Sequence, residues 1–298
     1  MTLDPTDPKD RRNKYREFDP ALISSFLGDR TISRSERIST GKSNTNIKLE
    51  LSDGITVVAR LYSENSWSNP EREKLIANMI DNRVPIPKML ANGNDWTVLE
   101  FVEGNQLDAQ PEHSGAAARA IAQLTQVTFE TGGWITEKGQ ITAFDFGDDY
   151  YGSQLEHAEV RNWLGPERIP LLSKILANET PRFTEISQQP SLAHGDFNPT
   201  NVLIHEGEVS AVLDWEYCHA GTPYMDIGNL LRNTESKYHE SIGRGLVEGG
   251  FDLPNDWKQR AALIDFSSHL EFLSSARSDE FKRTRIGLID SFIDMFNS

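Results

Sequence analysis

The sequence predicts an α+β protein of two lobes, a small β-rich N-terminal lobe followed by a larger and mainly helical C-terminal lobe. The first observation is a strand-like segment at residues 48–62, where apolar and β-branched residues flank an Asp53-Gly54 turn. The second is a change of period beyond Gly104, after which apolar residues recur every three to four positions. Strands are therefore expected before helices along the chain.

In the N-terminal lobe, the residues around Asp53-Gly54 predict a β-hairpin. Apolar residues alternate with polar ones at 49–51 before the turn, and the residues at 55–58 after it are β-branched. A helix is predicted to begin at Pro70, because proline fits the first helical turn and acids follow it there. Two further strands are expected on either side of an Asn-Gly-Asn turn at 92–94.

In the C-terminal lobe, one pair of strands is expected among several helices. Strand signals return only at 202–213, around a polar turn. Segments with helical apolar spacing are found at 116–128, 154–164, 169–176, 258–276 and 280–296. The predicted division is a flexible lead-in at 1–20, an N-terminal lobe at 21–103 and a C-terminal lobe at 104–298.

Composition limits the possible partners. With 30 Lys and Arg against 45 Asp and Glu, the formal charge of -15 opposes binding to nucleic acid and would attract cationic ligands, although acidity also serves solubility alone. Because neither a long apolar run nor the apolar core of a signal peptide is present, we expect a cytoplasmic protein without a membrane partner. The one cysteine, Cys218, excludes an intramolecular disulfide and is expected to serve in packing. Monomer and homodimer are not distinguished.

The most informative segment, residues 192–216, consists of a polar loop, a strand, a turn, a second strand and an acid. If the two strands pair as a hairpin, Asn201 just before the first and Asp214 just after the second lie together at its open end. An amide oxygen and a carboxylate would then converge, and Mg²⁺ prefers such oxygen ligands. The sequence therefore predicts a magnesium site formed by Asn201 and Asp214.

Another acid of the same loop, Asp196, precedes Asn201 by five residues and is predicted to lie beside the metal without binding it. Phosphoryl transfer to an alcohol needs a metal ion near the phosphate oxygens and a carboxylate aimed at the attacking hydroxyl. We predict that Asp196 is this catalytic base. Each of these residues alone would more often be a turn or capping residue, but their order and spacing together favour a catalytic site.

The segments HGDFNPTN, VLDWEY and GTPYMDIGNLL, in this order, resemble the signature of the aminoglycoside phosphotransferase and choline kinase-like family. The resemblance implies a two-lobed protein-kinase-like fold that uses Mg²⁺ and takes phosphate from ATP, or from GTP. It also implies that Asp196 is the base, that Asn201 and Asp214 hold magnesium, and that Asp226 supports the loop structurally. The resemblance extends over about residues 30–232 and is strongest from the catalytic loop onward.

The N-terminal lobe resembles the nucleotide-binding lobe of that family more loosely. STGKSNTNIKLEL at 39–51 is similar to its nucleotide loop. VLEFVEG at 98–104 is similar to its hinge, which implies that Glu100 and Val102 contact the nucleotide base.

One position departs from the pattern of the family, which places a lysine on the third strand to hold the α- and β-phosphates. VVARLY carries Arg60 there. Arginine keeps a permanent charge and can bind phosphate through two nitrogens, but its planar guanidinium does not replace an ammonium group like for like. Glu73 is the expected partner of Arg60, and Glu71 is the competing one.

We expect the acceptor to be a small, cationic molecule with a hydroxyl, an aminoglycoside in the first place. Acids that could meet its amino groups, or could equally be solvated surface residues, are Asp145, Asp148, Asp149 and Glu216. Aromatic residues that could form a cation–π cage for choline, or could simply pack in the core, are Tyr150, Tyr151, Trp163, Trp215 and Tyr217. Homoserine, a thiosugar and a macrolide also stay open.

Two alternatives belong to other classes. A nucleotide-binding pseudokinase without turnover is favoured by Arg60, whereas the presence of Asp196, Asn201 and Asp214 argues against it. A purely structural α+β protein would show no magnesium-dependent nucleotide binding at all.

Overall fold

The computed structural model describes residues 13–39, 43–64, 66, 68–144 and 150–297. The α-helices of this part of the chain are α1 (Ser24–Leu27), α2 (Pro70–Ile80), α3 (Ser114–Leu124), α4 (Tyr150–Glu156), α5 (Ala158–Ile186), α6 (Pro223–Arg232), α7 (His239–Glu248), α8 (Trp257–Ser274) and α9 (Asp279–Asn297). The strands are β1 (Ile32–Ile38), β2 (Thr45–Leu51), β3 (Thr56–Leu61), β4 (Met89–Asn92), β5 (Trp96–Glu100), β6 (Asn105–Gln106), β7 (Gly133–Ile135), β8 (Ile141–Thr142), β9 (Ser191–Ala193), β10 (Val202–His205), β11 (Glu208–Val212) and β12 (His219–Gly221).

The N-terminal region is an antiparallel sheet of five strands in the order β1-β2-β3-β5-β4. The hairpin predicted around Asp53-Gly54 is confirmed as β2 and β3. Leu49 and Leu51 are buried, while Lys48 and Glu50, which alternate with them, are partly exposed, as the period of two in a strand requires. The sheet thus presents one apolar face to the small core of this region.

Helix α2 lies between strands β3 and β4 in the chain and begins at Pro70, as predicted. Asn69 caps it, since its side chain accepts the backbone N–H of Arg72 at 2.9 Å. Ile76 and Ile80 are buried against residues of the C-terminal region. The cap and these apolar contacts fix the helix between the two regions, which places Arg72 and Glu73 near the site described below.

The C-terminal region is mostly helical, and the predicted helical segments correspond to α3, α4 with α5, α8 and α9. Within the span of α5, the backbone at Gly165 is not helical (φ 72°, ψ 165°), so a kink divides the two helical segments that the sequence predicts separately. Helices α6 and α7 and the short strands β6, β7, β8, β9 and β12 were not predicted. These strands have two or three residues each, so they carry too few positions for a recognisable period.

The predicted fold class is confirmed: a sheet-rich N-terminal region precedes a mainly helical C-terminal region. The described part of the predicted lead-in includes two residues that contact the loops next to β3 and β5. Asn13 donates to Ser63 Oγ at 2.7 Å, and Arg16 binds Asp95 at 2.6 Å.

Among the described helices, none combines the length and apolarity that a membrane crossing requires.

Candidate active site

The loop that begins at His194 is held by a buried carboxylate of α6. Asp226 accepts the backbone N–H of His194 at 2.7 Å and that of Gly195 at 2.9 Å. Burial raises the pKa of Asp226 to about 6, while the His194 imidazole and the two N–H groups act in the opposite direction. These bonds confirm the expected supporting role of Asp226.

Gly195 lets this loop pass close to the segment that follows β11. Its φ is +80°, a conformation that favours glycine. A Cβ at this position would lie 2.5 Å from the carbonyl oxygen of Tyr217. The glycine of the HGD segment is therefore required by both its dihedral angle and its surroundings.

The His194 ring connects the loop to the end of β11. Nε2 lies 2.8 Å from the carbonyl oxygen of Leu213, and Nδ1 lies 3.2 Å from the backbone nitrogen of Asp196. A carbonyl can only accept and a backbone N–H can only donate, so Nε2 carries the proton and Nδ1 accepts. The ring thereby fixes the main chain at Asp196.

The Asp196 carboxylate is oriented by side-chain amides. Asn198 Nδ2 donates to Oδ1 at 2.9 Å, and Asn201 Nδ2 lies 3.2 Å from Oδ2. Asn229 Nδ2, on α6, lies 3.5 Å from Oδ1. Amides hold the carboxylate by hydrogen bonds without neutralising its charge, which suits a group that has to accept a proton.

The two predicted metal ligands lie at the open end of the predicted hairpin, which is confirmed as β10 and β11. The backbone N–H of Leu213 donates to the carbonyl of Asn201 at 2.8 Å, and Asp214 follows in a left-handed conformation with φ of 64°. Because Asn201 uses its amide nitrogen on Asp196, the amide oxygen is the atom that it can offer to a cation. An amide oxygen and a carboxylate form a donor set that fits Mg²⁺.

Arg60 on β3 pairs with Glu73 on α2, as predicted. Nη1 lies 2.6 Å from Glu73 Oε1, and Nε donates to Asn46 Oδ1 at 3.0 Å. Burial alone would lower the pKa of Arg60, but Glu73, Tyr62 and Asp214 raise it well above its usual range. The guanidinium is therefore a fixed positive charge on the side of the site where Asp214 lies.

A second arginine, Arg72, was not predicted as part of the site. It is buried and binds main-chain oxygens of the segment that follows Asp214: Nη1 donates to Glu216 O at 2.9 Å, and Nη2 donates to Cys218 O at 2.6 Å. A weaker contact of 3.3 Å reaches Trp215 O. Burial lowers the pKa of Arg72. Helix α2 thus fixes the chain just after Asp214.

A further contact joins the two regions near the predicted nucleotide loop. Ser43 Oγ donates to Glu216 Oε1 at 2.8 Å, and both residues are buried. Glu216 is therefore not a solvated surface residue, and its contact with an acceptor stays a prediction. The preceding part of the predicted loop, 40–42, lies outside the described residues.

The two residues predicted to contact the base of the nucleotide, Glu100 and Val102, lie at and just after the end of strand β5. Glu100 is the last residue of β5, and its backbone N–H donates to Lys88 O at 2.9 Å. Val102 follows on the connector to the helical region and is partly exposed. Both positions agree with a connector between the regions, and their contact with a base stays a prediction.

The residues expected to surround the acceptor lie in different places: some are outside the described residues and others pack in the core. Asp145, Asp148 and Asp149 lie outside the described residues. Trp215 is buried against the His194 ring, with 4.5 Å between the ring centroids, so it belongs to the core. Tyr151 packs on Phe183. The structure therefore assigns packing roles to these two rings of the expected cage.

The fold is the protein-kinase-like fold of small-molecule phosphotransferases. The chain belongs to the APH phosphotransferase enzyme family, whose family model matches residues 35–263.

Two curated mammalian proteins share part of their length with the chain. Acyl-CoA dehydrogenase family member 11 of Rattus norvegicus is 27% identical over 193 residues, which cover 55% of this chain and 24% of that protein. Acyl-CoA dehydrogenase family member 10 of Mus musculus is 34% identical over 243 residues, which cover 74% of this chain and 22% of that protein. The chain thus spans about a quarter of the length of these relatives.

Solved structures share the fold at low identity. A fructosamine-3-kinase from Thermobifida fusca, itself assigned by inference, has a TM-score of 0.66 at 16% identity, covering 92% of this chain and 98% of that chain. Aminoglycoside 2'-phosphotransferase-IIIa in complex with GDP has a TM-score of 0.66 at 15% identity, covering 93% and 97%. Aminoglycoside phosphotransferase APH(4)-Ia with AMP-PNP and hygromycin B has a TM-score of 0.63 at 15% identity, covering 92% and 97%.

Proposed function

We propose that the chain transfers the γ-phosphate of ATP, or of GTP, to a hydroxyl of a small molecule, with Asp196 as the base. The observation that carries this proposal is the Asp196 carboxylate, oriented by Asn198 and Asn201 next to the Asn201–Asp214 pair. Solved neighbours that contain AMP-PNP, ADP or GDP support a nucleotide as the donor.

Magnesium would be held by Asn201 and Asp214, and when bound it would neutralise phosphate oxygens of the nucleotide. Arg60 supplies a permanent positive charge on the same side of the site and would bind the α- and β-phosphates. Glu73 holds the guanidinium in place. Glu100 and Val102 would meet the base of the nucleotide through backbone groups.

In the reaction, the acceptor oxygen forms a bond to the γ-phosphorus and the bond from that phosphorus to the β–γ bridging oxygen breaks. Asp196 accepts the proton of the attacking hydroxyl, so the products are the phosphorylated acceptor and the nucleoside diphosphate. The amides of Asn198 and Asn201 keep the carboxylate aimed at the hydroxyl.

The acceptor class expected from the sequence is cationic, and an aminoglycoside is its first example. The net charge of -15 supports it, and so do the solved neighbours with hygromycin B. Choline, homoserine and a thiosugar are the alternative acceptors. A pseudokinase that binds nucleotide without turnover is the alternative of another class, and Arg60 is its support.

The test is release of nucleoside diphosphate with magnesium ATP or GTP in the presence of aminoglycosides, choline, homoserine, thiosugars and macrolides. We expect acceptor-dependent release that Asp196→Ala abolishes and the exposed control Asp252→Ala preserves. Release that survives Asp196→Ala would refute Asp196 as the base. Magnesium-dependent nucleotide binding without any release would favour the pseudokinase.

A further inference from the structure

One face of α6 lies against the catalytic loop. Asp226, Asn229 and Asn233 follow one another at intervals of three and four residues, a spacing that places them on one side of a helix. Asp226 holds the backbone of the loop, and Asn229 brings its Nδ2 to 3.5 Å from Asp196 Oδ1. Asn229 is buried. Helix α6 therefore contacts both the main chain and the carboxylate of the loop.

Another side of α6 packs closely on α8. A Cβ at Gly228 would lie 2.6 Å from the Cβ of Asp265 and 2.7 Å from the carbonyl oxygen of Ala261, so this approach requires glycine. Arg232, one turn further along α6, forms an ion pair with Asp265, and both side chains are buried. Because these contacts fix α6 on α8, the helix is a firm support for Asn229.

The side chain of Asn233 determines which way the Asn229 amide is turned. Its Nδ2 lies 2.8 Å from the main-chain oxygen of Asn229 and 2.9 Å from Asn229 Oδ1. A main-chain carbonyl can only accept, so the Asn233 atom at this place is the amide nitrogen, and the side-chain atom that it meets on Asn229 is the oxygen. The amide nitrogen of Asn229 is then the atom that faces Asp196.

The amide donors are distributed unevenly over the two carboxylate oxygens of Asp196. Among the described residues, Oδ1 has two donors, Asn198 at 2.9 Å and Asn229 at 3.5 Å, whereas Oδ2 has one, Asn201 at 3.2 Å. Each oxygen of an ionised carboxylate offers about two lone pairs, so Oδ1 has both occupied and Oδ2 keeps one. Oδ2 is also the oxygen that contacts Asn201, the predicted magnesium ligand.

We infer that Asn229 is a positioning residue that, held by Asn233, occupies Asp196 Oδ1 and leaves Oδ2 as the oxygen that takes the proton of the acceptor hydroxyl. This inference rests on the proposed function, in which Asp196 is the base. The proton passes to Oδ2 as the hydroxyl oxygen bonds to the γ-phosphorus and the bond from that phosphorus to the bridging oxygen breaks. A separation of 3.5 Å is long for a hydrogen bond, but the bonds around a catalytic base commonly shorten once the substrates bind.

The first experiment measures the steady-state kinetics of Asn229→Ala with an acceptor that the parent protein phosphorylates. We expect kcat to fall by about tenfold, because the carboxylate loses a bond that fixes its rotation, while the KM for magnesium ATP stays unchanged. Asn233→Ala, at an exposed position, should lower kcat by a smaller factor, since the Asn229 amide is then free to turn. Asn178→Ala replaces an exposed asparagine of α5 and is the control with parent kinetics.

A double variant distinguishes positioning from a merely structural role. If Asn229 acts only through the Asp196 carboxylate, Asn229→Ala in the Asp196→Asn background should leave the residual kcat unchanged. A parent-like kcat in Asn229→Ala, or an equal fall of kcat in both backgrounds, would overturn the inference and leave the kinase function intact. If Asn229→Ala does not fold, Asn233→Ala is compared in the two backgrounds in the same way.

A crystal structure of the parent protein with magnesium AMP-PNP tests the assignment of the two oxygens without an acceptor. We expect the Asn229 amide nitrogen on Oδ1 and find support for the inference if Oδ2 faces the γ-phosphate. An Asn229 amide turned away from the carboxylate, or Oδ1 facing the γ-phosphate, would overturn it. Absence of magnesium-dependent AMP-PNP binding would refute the proposed function itself, and the inference with it.

Discussion

The catalytic loop and the contact between α2 and the segment after Asp214 are built in opposite ways. In the loop, Asp196 is oriented by Asn198 and Asn201, which are two and five residues away. In the contact, Arg72 binds Glu216 O across 144 residues of sequence. The orientation of the Asp196 side chain therefore depends mainly on residues of the same loop, whereas the contact exists only after the two regions have come together. We expect the rate of phosphate transfer to depend on the catalytic loop. We expect the relative position of the two regions to depend on the Arg72 contact.

The largest expected effect is a fall in kcat that leaves the stability of the fold almost unchanged. Asp196→Asn keeps the size of the side chain but removes the carboxylate that accepts the proton, so we expect kcat to fall by about a thousandfold. The unfolding free energy and the affinity for magnesium nucleotide should change little. Steady-state kinetics measure kcat, and urea denaturation measures the unfolding free energy. Asp252→Asn is the control, and a kcat within about threefold of the parent would contradict the role of Asp196.

Arg72→Met tests the contact between the regions. It leaves the carbonyl oxygens of Glu216 and Cys218 buried without their donor, so we expect the unfolding free energy to fall by about 3 kcal/mol. The affinity for magnesium ATP should weaken as well, because Asp214 precedes the segment that Arg72 holds. Urea denaturation gives the first quantity and calorimetry the second. Lys74→Met, exposed on the same helix, is the matched control, and equal stability of the two variants would refute the contact.

Two buried groups, one beside the Arg72 contact and one beside the catalytic loop, should respond to acid in opposite directions. His219, near Arg72, has its pKa lowered by burial to about 4, below the ordinary value of 6.5. The unfolded chain therefore binds the proton first, and stability is lost as the pH falls from 6.5 to 4, on the order of 3 kcal/mol for this group. Asp226, beside the catalytic loop, has its pKa raised from 3.8 to about 6 by burial. The folded state therefore binds this proton first, and it gains stability as the pH falls from about 6 to 3.8.

The variant His219→Gln separates these contributions. We expect its unfolding free energy to fall less between pH 6.5 and 4 than that of the parent protein. His269→Gln is the comparison elsewhere in the molecule, since burial also lowers the pKa of His269 to about 4 and the sign is the same. Urea denaturation at several pH values is the measurement. An unchanged pH dependence in His219→Gln would contradict a buried, uncharged His219.

The smallest expected effect concerns Arg60. Arg60→Lys keeps the charge and can still pair with Glu73, but it loses the bond from Nε to Asn46. We expect the KM for magnesium ATP to rise by about threefold with kcat almost unchanged. Arg34→Lys, whose side chain is 65% exposed, should leave both constants unchanged. Complete loss of activity in Arg60→Lys would show that the planar guanidinium is indispensable.

The sequence predicted those features that depend on neighbouring residues. The hairpin of β10 and β11 follows from two short apolar runs and a turn, and it brings Asn201 and Asp214 to one end. The pairing of Arg60 with Glu73 was also correct, because it joins adjacent elements. Whether Asp196, Asn201 and Asp214 act as base and ligands stays a prediction.

Other features could not be predicted from spacing. Arg72 stands between Glu71 and Glu73, a pattern typical of a solvated helix face, and its burial results from carbonyl groups that lie far away in the sequence. Glu216 accepts a hydrogen bond from Ser43, which lies 173 residues earlier in the sequence. Such long-range contacts depend on how the regions pack, which no local period encodes.

The hydrogen bonds of Arg72 have a consequence for how this part of the molecule can vary. Because the guanidinium contacts main-chain oxygens, it does not depend on the identity of the side chains at 215–218. Of these positions, Trp215, Glu216 and Cys218 are buried, whereas Tyr217 is partly exposed and could vary in related chains while the backbone path after Asp214 is preserved. Mutational libraries that diversify Tyr217 should accordingly retain folded members, whereas libraries that diversify position 72 should not.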